Sequence, residues 1–209
     1  MQIDKFRVKN ADIDWNCSGD FSFTAGFGAT KAERALANYA AFCAPVILYF
    51  LVWQDLEWSL LQLIVASALV LDMVGGVITN SLGSMKRFLH TDQSLKLSWL
   101  GRLVGSKFVF PAIHFQIFVA PLCFDVTWSY GFFWYGLMMA SILVLHLLPL
   151  YLHRPVALLI VMLSIIIGQV AFSAPAGLEW LAPIYIIKLV LSHGVREEPY
   201  RPAEVSERP

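Results

Sequence analysis

Apolar residues come in long blocks broken by short polar clusters. The blocks fall at about 31–53, 57–80, 107–124, 128–150, 155–173 and 177–193, and several approach or reach the ~20 residues that cross a ~30 Å hydrocarbon core. The clusters QDLE, FDVT, HRP and SAPAG read as the turns between them. Thr30 followed by Glu33 fits a capping box at the start of the first block, the hydroxyl and the carboxylate each satisfying a free first-turn amide. The pattern predicts an all-α, polytopic membrane bundle of about six transmembrane helices. A polar segment, 1–30, precedes it and a charged tail, 194–209, follows.

Composition agrees with that class. Of 209 residues, 58% are hydrophobic and 14% charged, with a mean hydropathy of +0.65. Soluble domains carry about 25% charged residues. The N-terminus lacks the apolar stretch of a cleavable signal peptide, so the first span is expected to direct insertion itself. Net charge is zero, which leaves no electrostatic case for a nucleic-acid partner. Cys17, Cys43 and Cys123 show neither metal-ligand spacing nor a disulfide framework and read as small apolar packers.

Lysine and arginine set the expected orientation. With six alternating spans, every basic residue except Lys188 falls on one side. The opposite loops carry only Asp55, Glu57, Asp125 and Glu179. The positive-inside rule then puts both termini in the cytoplasm of a bacterial-type plasma membrane. Segment 86–106 is long for a helix–helix connection. Its apolar positions, broken by Lys96 and Arg102, fit either a short amphipathic helix on the cytoplasmic interface or an early extension of span three.

Orientation gives meaning to the polar residues inside the spans. Asp72 lies roughly 12 Å from the cytoplasmic end of its span and His114 roughly 10 Å, at ~1.5 Å per residue. His146 and Lys188 sit near the inner ends of spans four and six, and Asn80, His90, His153 and His193 at the boundary. Four spans thus contribute ionisable groups to one layer. Such groups are costly in lipid and point to function. On span two, Asp72, Gly76 and Thr79 share a face with Asn80 beside them, continued outward by Ala68 and Val65. That small-residue stripe is expected to meet a neighbouring helix.

These residues suggest a cavity open to the cytoplasm. Asp72 and His114 are its candidate acid–base pair, a carboxylate bonded to an imidazole fixing the ring's tautomer. Asn80, His90, His146, Lys188 and His193 are candidate ligand-binding residues. Zinc held by Asp72, His90, Asp92 and His114 has acceptable donors but no diagnostic spacing. HExxH, the histidine boxes of membrane di-iron enzymes and GxSxG are all absent. No motif carries a family resemblance, and no cofactor is implied.

Three functions follow as expectations. The first is a membrane enzyme acting on a lipid-like or amphipathic substrate by acid–base chemistry. The second is a small transporter or proton-coupled carrier, using a thin polar route through Gln62, Gln116, Ser141, Ser164 and Gln169, with a homodimer supplying the rest. The third is a non-catalytic membrane subunit. The expected partners are the lipid bilayer and a lipid or amphipathic small molecule.

The orientation is directly testable. Reporters active on opposite sides of the membrane, fused at Asp125 and after the C-terminus, are expected to signal outside and cytoplasm respectively. A cytoplasmic signal at both sites overturns the arrangement.

Overall fold

The computed structural model describes residues 6–8, 10–52 and 56–203. They form a mostly helical bundle with a small β region at one end. Three helices are long and apolar enough to cross a membrane, namely Leu60–Ser81 (α3), Trp128–Leu147 (α8) and Leu150–Val170 (α9). Helix α3 opens on a second capping box, Ser59 with Gln62. The expected HRP turn instead lies inside α9, because Leu148–Pro149 ends α8 first and Pro155 is taken up within two turns of the new helix.

The other expected spans are shorter or interrupted. Residues 31–52 form Lys31–Tyr39 (α1), a tight turn at Ala40–Phe42 and Cys43–Val52 (α2). The capping box at Thr30 and Glu33 is present. Pro45 supplies no amide for the Ala41 carbonyl, so the amide of Cys43 takes that carbonyl and Ala40's together. Residues 107–124 are more broken still. They contain Val109–Ala112 (α6), a bend at 113–115, one turn at Gln116–Phe118, and Val119–Cys123 (α7). The last helix runs as Leu181–Ile186 (α10) and then widens into π turns over Ile187–His193.

Two hydroxyls stabilise the bend. Tyr135 donates to the Ala112 carbonyl at 2.6 Å and Tyr185 to the His114 carbonyl at 2.7 Å. Broken helices persist in an apolar bundle when neighbours satisfy the freed backbone groups in this way.

Segment 86–106 contains the end of one buried helix and one short helix with an exposed apolar face. Gly83–His90 (α4) is buried along nearly its whole length, and only Trp99–Val104 (α5) presents an apolar outer face, with Trp99 and Leu100 exposed. The buried cations are held by carbonyls. Lys86 Nζ reaches the carbonyls of Ser192 at 2.6 Å and Val195 at 2.7 Å, with Glu197 at 3.4 Å. Arg87 donates to the Phe27 carbonyl through Nε and Nη2.

The described parts of the two polar end segments pair with each other. Phe6–Val8 (β1), Ala11–Ile13 (β2) and Tyr200–Pro202 (β5) form an antiparallel sheet in the order β1-β2-β5, with Asp12 opposite Arg201. Phe21–Ser22 (β3) and Gly26–Phe27 (β4) pair separately over α4. Gly26, at φ 76°, lies so close to the backbone of Ser84 and Met85 that no side chain fits there. Asp14 closes the arrangement with an ion pair to Arg201 at 3.0 Å. All three cysteines are free, and Cys43 is exposed rather than packed.

The main core joins α3, α8, α9 and the last helix around Met73, Trp134, Met138, Tyr185 and Leu189. Within this core the tightest glycine approach is at Gly76, where an added Cβ would lie 2.3 Å from Cε of Lys188. At Gly75 the nearest atom, Cβ of Ala41, is 3.3 Å away. Gly76→Ala is therefore expected to lower stability by about 1–3 kcal/mol through overpacking, whereas Gly75→Ala should stay within about 1 kcal/mol of the parent. Chemical unfolding in detergent measures both.

Lys86 generates a pH dependence. Burial, opposed by the carboxylate of Glu197, pulls its ammonium down from 10.5 to about 8. Between those values the unfolded chain binds more protons than the folded one, so stability rises with pH across that window. Unfolding midpoints taken from pH 7.5 to 10.5 are expected to show this rise in the parent and to lack it in Lys86→Met.

Candidate functional site

The expected stripe on α3 lines a cleft, but it runs along the rim rather than the buried seam. Asp72, Gly75, Gly76, Thr79 and Asn80 all border the cleft, while Ala68 is exposed. The buried apolar seam of α3 is Leu63, Ala66, Leu69, Val70 and Met73. The cleft holds about 470 Å³ between α3, the α1–α2 kink and the bend at 113–115. Its walls include Phe23, Phe42, Leu71, Met85, Val104 and Phe110.

Asp72 pairs with Lys188 and not with His114. Lys188 Nζ stands 2.8 Å from Oδ2 of Asp72. The lysine side chain is 3% exposed and the aspartate 47%, so a buried ammonium is met by a carboxylate that opens into the cleft. Gly76 makes this geometry possible, because the lysine stem lies across the place its side chain would occupy. The π turns at Ile187–His193 carry Lys188, and such irregular helical turns recur at functional sites.

His114 stands in the same cleft, just past the proline-induced break. Its Nδ1 bonds to the Phe110 carbonyl at 2.6 Å. A carbonyl only accepts, so that nitrogen carries the proton and a neutral ring keeps a lone pair on Nε2. The Tyr185 bond to the His114 carbonyl fixes the backbone beneath the ring. Asn80 is buried on the rim, its amide 3.5 Å from the Lys188 carbonyl.

The remaining expected ligand-binding residues lie elsewhere. His193 is buried, stacks on the Phe110 ring at 4.5 Å and accepts, through its carbonyl, a bond from Nε2 of His90 at 3.0 Å. His114 packs on that same ring at 4.2 Å, so Phe110 lies against both histidines. His146 is exposed on α8 with Nδ1 bonded to the Ile142 carbonyl. His90 and His146 border a second cavity, away from Asp72. A helical depth count places residues at one level but not around the bundle, so it does not separate the two cavities.

The residues weighed for zinc are not assembled. Asp92 is exposed and pairs with Arg196 at 3.4 Å. Among the described residues, no three or more His, Cys, Asp or Glu side chains are grouped to hold a metal ion.

Sequence reasoning missed Tyr135, Tyr185 and Phe110, which support His114. The prolines at 111 and 121 were the available signal that this stretch is not one continuous helix. The polar route imagined for a carrier is largely spent on internal bonds. Gln62 donates to the Cys123 carbonyl at 2.9 Å, and Ser141 and Ser164 donate back to carbonyls of their own helices.

Comparison of the chain with protein-family models, with curated proteins and with solved structures finds no match. The functional reading rests on the geometry of the cleft.

Proposed function

We propose that the chain is a multi-pass membrane enzyme acting on a lipid-like, amphipathic substrate by acid–base chemistry. Six crossings with both termini in the cytoplasm remain our reading. The interrupted helices at 31–52, 109–123 and 181–193 would complete what the three long ones begin. The observation that carries the enzyme reading is the meeting of three groups in one largely apolar cleft. Lys188 supplies a fixed positive charge, Asp72 holds it, and His114 offers a lone pair on Nε2.

Each group has a distinct role. His114 Nε2 accepts a proton from a substrate hydroxyl or an acidic C–H, the step for which a positioned imidazole suits neutral pH. Lys188 faces the negative charge that develops, and its burial makes that stabilisation stronger than in water. Asp72 is a positioning residue, keeping the ammonium in place between turnovers. Thr79 and Asn80 offer hydrogen bonds to a polar head group, while Phe42 and Leu71 accommodate apolar chain.

The carrier reading draws less support because Gln62, Ser141 and Ser164 are already bonded within the bundle. The cleft instead opens beside α3, where a lipid can enter from one leaflet.

Two measurements test the proposal. Lipid extracts from membranes expressing the parent are expected to contain a modified species that His114→Gln fails to produce, and a photoreactive lipid should label the cleft around Thr79. Asp72→Asn should abolish the product and destabilise the fold. Removing one member of a fully buried pair costs about 3–5 kcal/mol, and less here because Asp72 is half-exposed. Combining Asp72→Asn with Lys188→Met should recover stability but not the product. Unchanged lipid profiles with no labelling of the cleft would overturn the reading.

A further inference from the structure

A second cavity, of about 260 Å³, lies at the end of the bundle where α8 turns into α9. His90, Lys107, His146, His153 and Arg196 supply its polar lining, and among the described residues no carboxylate borders it. Three histidines and two cations in one enclosure serve no purpose in the chemistry assigned to Asp72, Lys188 and His114.

The histidine hydrogen bonds define what the cavity presents. His90 Nε2 bonds to the His193 carbonyl at 3.0 Å, His146 Nδ1 to that of Ile142 at 2.8 Å and His153 Nε2 to that of Leu148 at 3.0 Å. Each bonded nitrogen must be the protonated one, because carbonyls only accept. In the neutral rings His90 Nδ1, His146 Nε2 and His153 Nδ1 are left as acceptors. Nδ1 of His153 is buried with no hydrogen-bond partner. His90 is neutral at any physiological pH, since burial, with the charges of Lys86 and Lys107 adding to it, pushes it down to about 2.

Lys107 is exposed toward the cavity mouth. Arg196 is held in place by Asp92 at 3.4 Å and by the face of Trp15, 4.1 Å from its guanidinium carbon. The enclosure therefore offers positive charge for an anion and, beside it, lone pairs that require hydrogen-bond donors. A bare metal ion suits the lone pairs but is repelled by the cations. An anion without hydroxyls suits the cations but offers no donor to the free imidazole nitrogens.

We propose that this cavity binds a phosphate group bearing its own hydroxyl donors, as in a phosphate monoester or a phosphoglycerol head group. Phosphate oxygens accept from Lys107 and Arg196, in charge-assisted bonds stronger than neutral ones. Phosphate or glycerol hydroxyls donate to the imidazoles. The volume admits a head group and not acyl chains, which would leave across exposed Leu147 and Leu150. A lipid and a soluble phosphate share this chemistry, and the site is independent of the Asp72 cleft.

The test uses the full chain in phosphatidylcholine nanodiscs, with the histidines labelled with ¹⁵N. Adding either 10 mol% phosphatidylglycerol or millimolar inorganic phosphate is expected to shift the ring resonances of His90, His146 and His153 and leave His114 unmoved. A response to phosphatidylglycerol alone assigns a lipid head group, and a response to inorganic phosphate assigns a soluble ligand. Lys107→Glu, a change at an exposed position, should weaken the effective probe at least tenfold, while Asp72→Asn should not weaken it. Absence of a response to both probes overturns the proposal. So does a response that Lys107→Glu leaves unchanged.

Discussion

The buried ammonium of Lys188 is the constraint around which the bundle is arranged. A lysine so enclosed survives only if a negative partner meets it and its stem finds room. Asp72 is that partner, 2.8 Å away, and Gly76 provides the room on the same face of the same helix. The two requirements fall four residues apart, about one helical turn, so one stripe of α3 satisfies both. This fixes the register of the last helix against α3, the most extensive pairing of helical elements in the bundle. Widening of that helix into π turns from Ile187 accompanies the arrangement.

A second constraint concerns backbone carbonyls. Prolines and broken helices leave carbonyls without amide partners, and an apolar interior offers no water to satisfy them. The chain answers with side-chain donors. Tyr135 and Tyr185 serve the bend at 113–115, Lys86 the end of the last helix, and Arg87 the hairpin before α1. Lys86 and Arg87 thereby join α4 to both chain ends, where β2 and β5 complete the closure. Cations that a hydropathy reading assigns to solvent are structural ties.

Much of this was readable from local pattern and the rest was not. The capping box at Thr30 depends on residues three apart, and the α3 stripe on helical phase, so both follow from sequence alone. The cleft's α3 lining, Asp72 through Asn80, was legible for the same reason. The partner of Asp72 was not. His114 and Lys188 lie at similar depth, and only the rotation of each helix about its axis, set by Gly76 and the proline break, chooses between them. His90, His146 and His193 were grouped with Asp72 by the same depth argument, which ignores position around the bundle. Strand pairing between residues 11–13 and 200–202 escaped notice because three-residue strands carry no periodic signal, and their pairing spans nearly the whole chain.

The distribution of polar groups along the bundle bears on what kind of work it can do. At the end holding Gln62, Trp58 packs on Phe124, Phe133 stacks on Phe172, and the polar side chains of Gln62 and Trp180 bond to nearby carbonyls. A smaller cavity of about 230 Å³ also lies at that end, bordered by Tyr130, Gln169, Ser173 and Glu179. The opposite end holds the ion pair of Lys188 with Asp72, the free imidazole nitrogens and two larger cavities. A translocation path needs replaceable polar contacts along its full length, since an ion or polar solute must exchange one for the next. A reaction needs them at one place only, held still. Lys188 held by Asp72, and Lys86 held by Ser192, Val195 and Glu197, both toward one end, suit the second requirement.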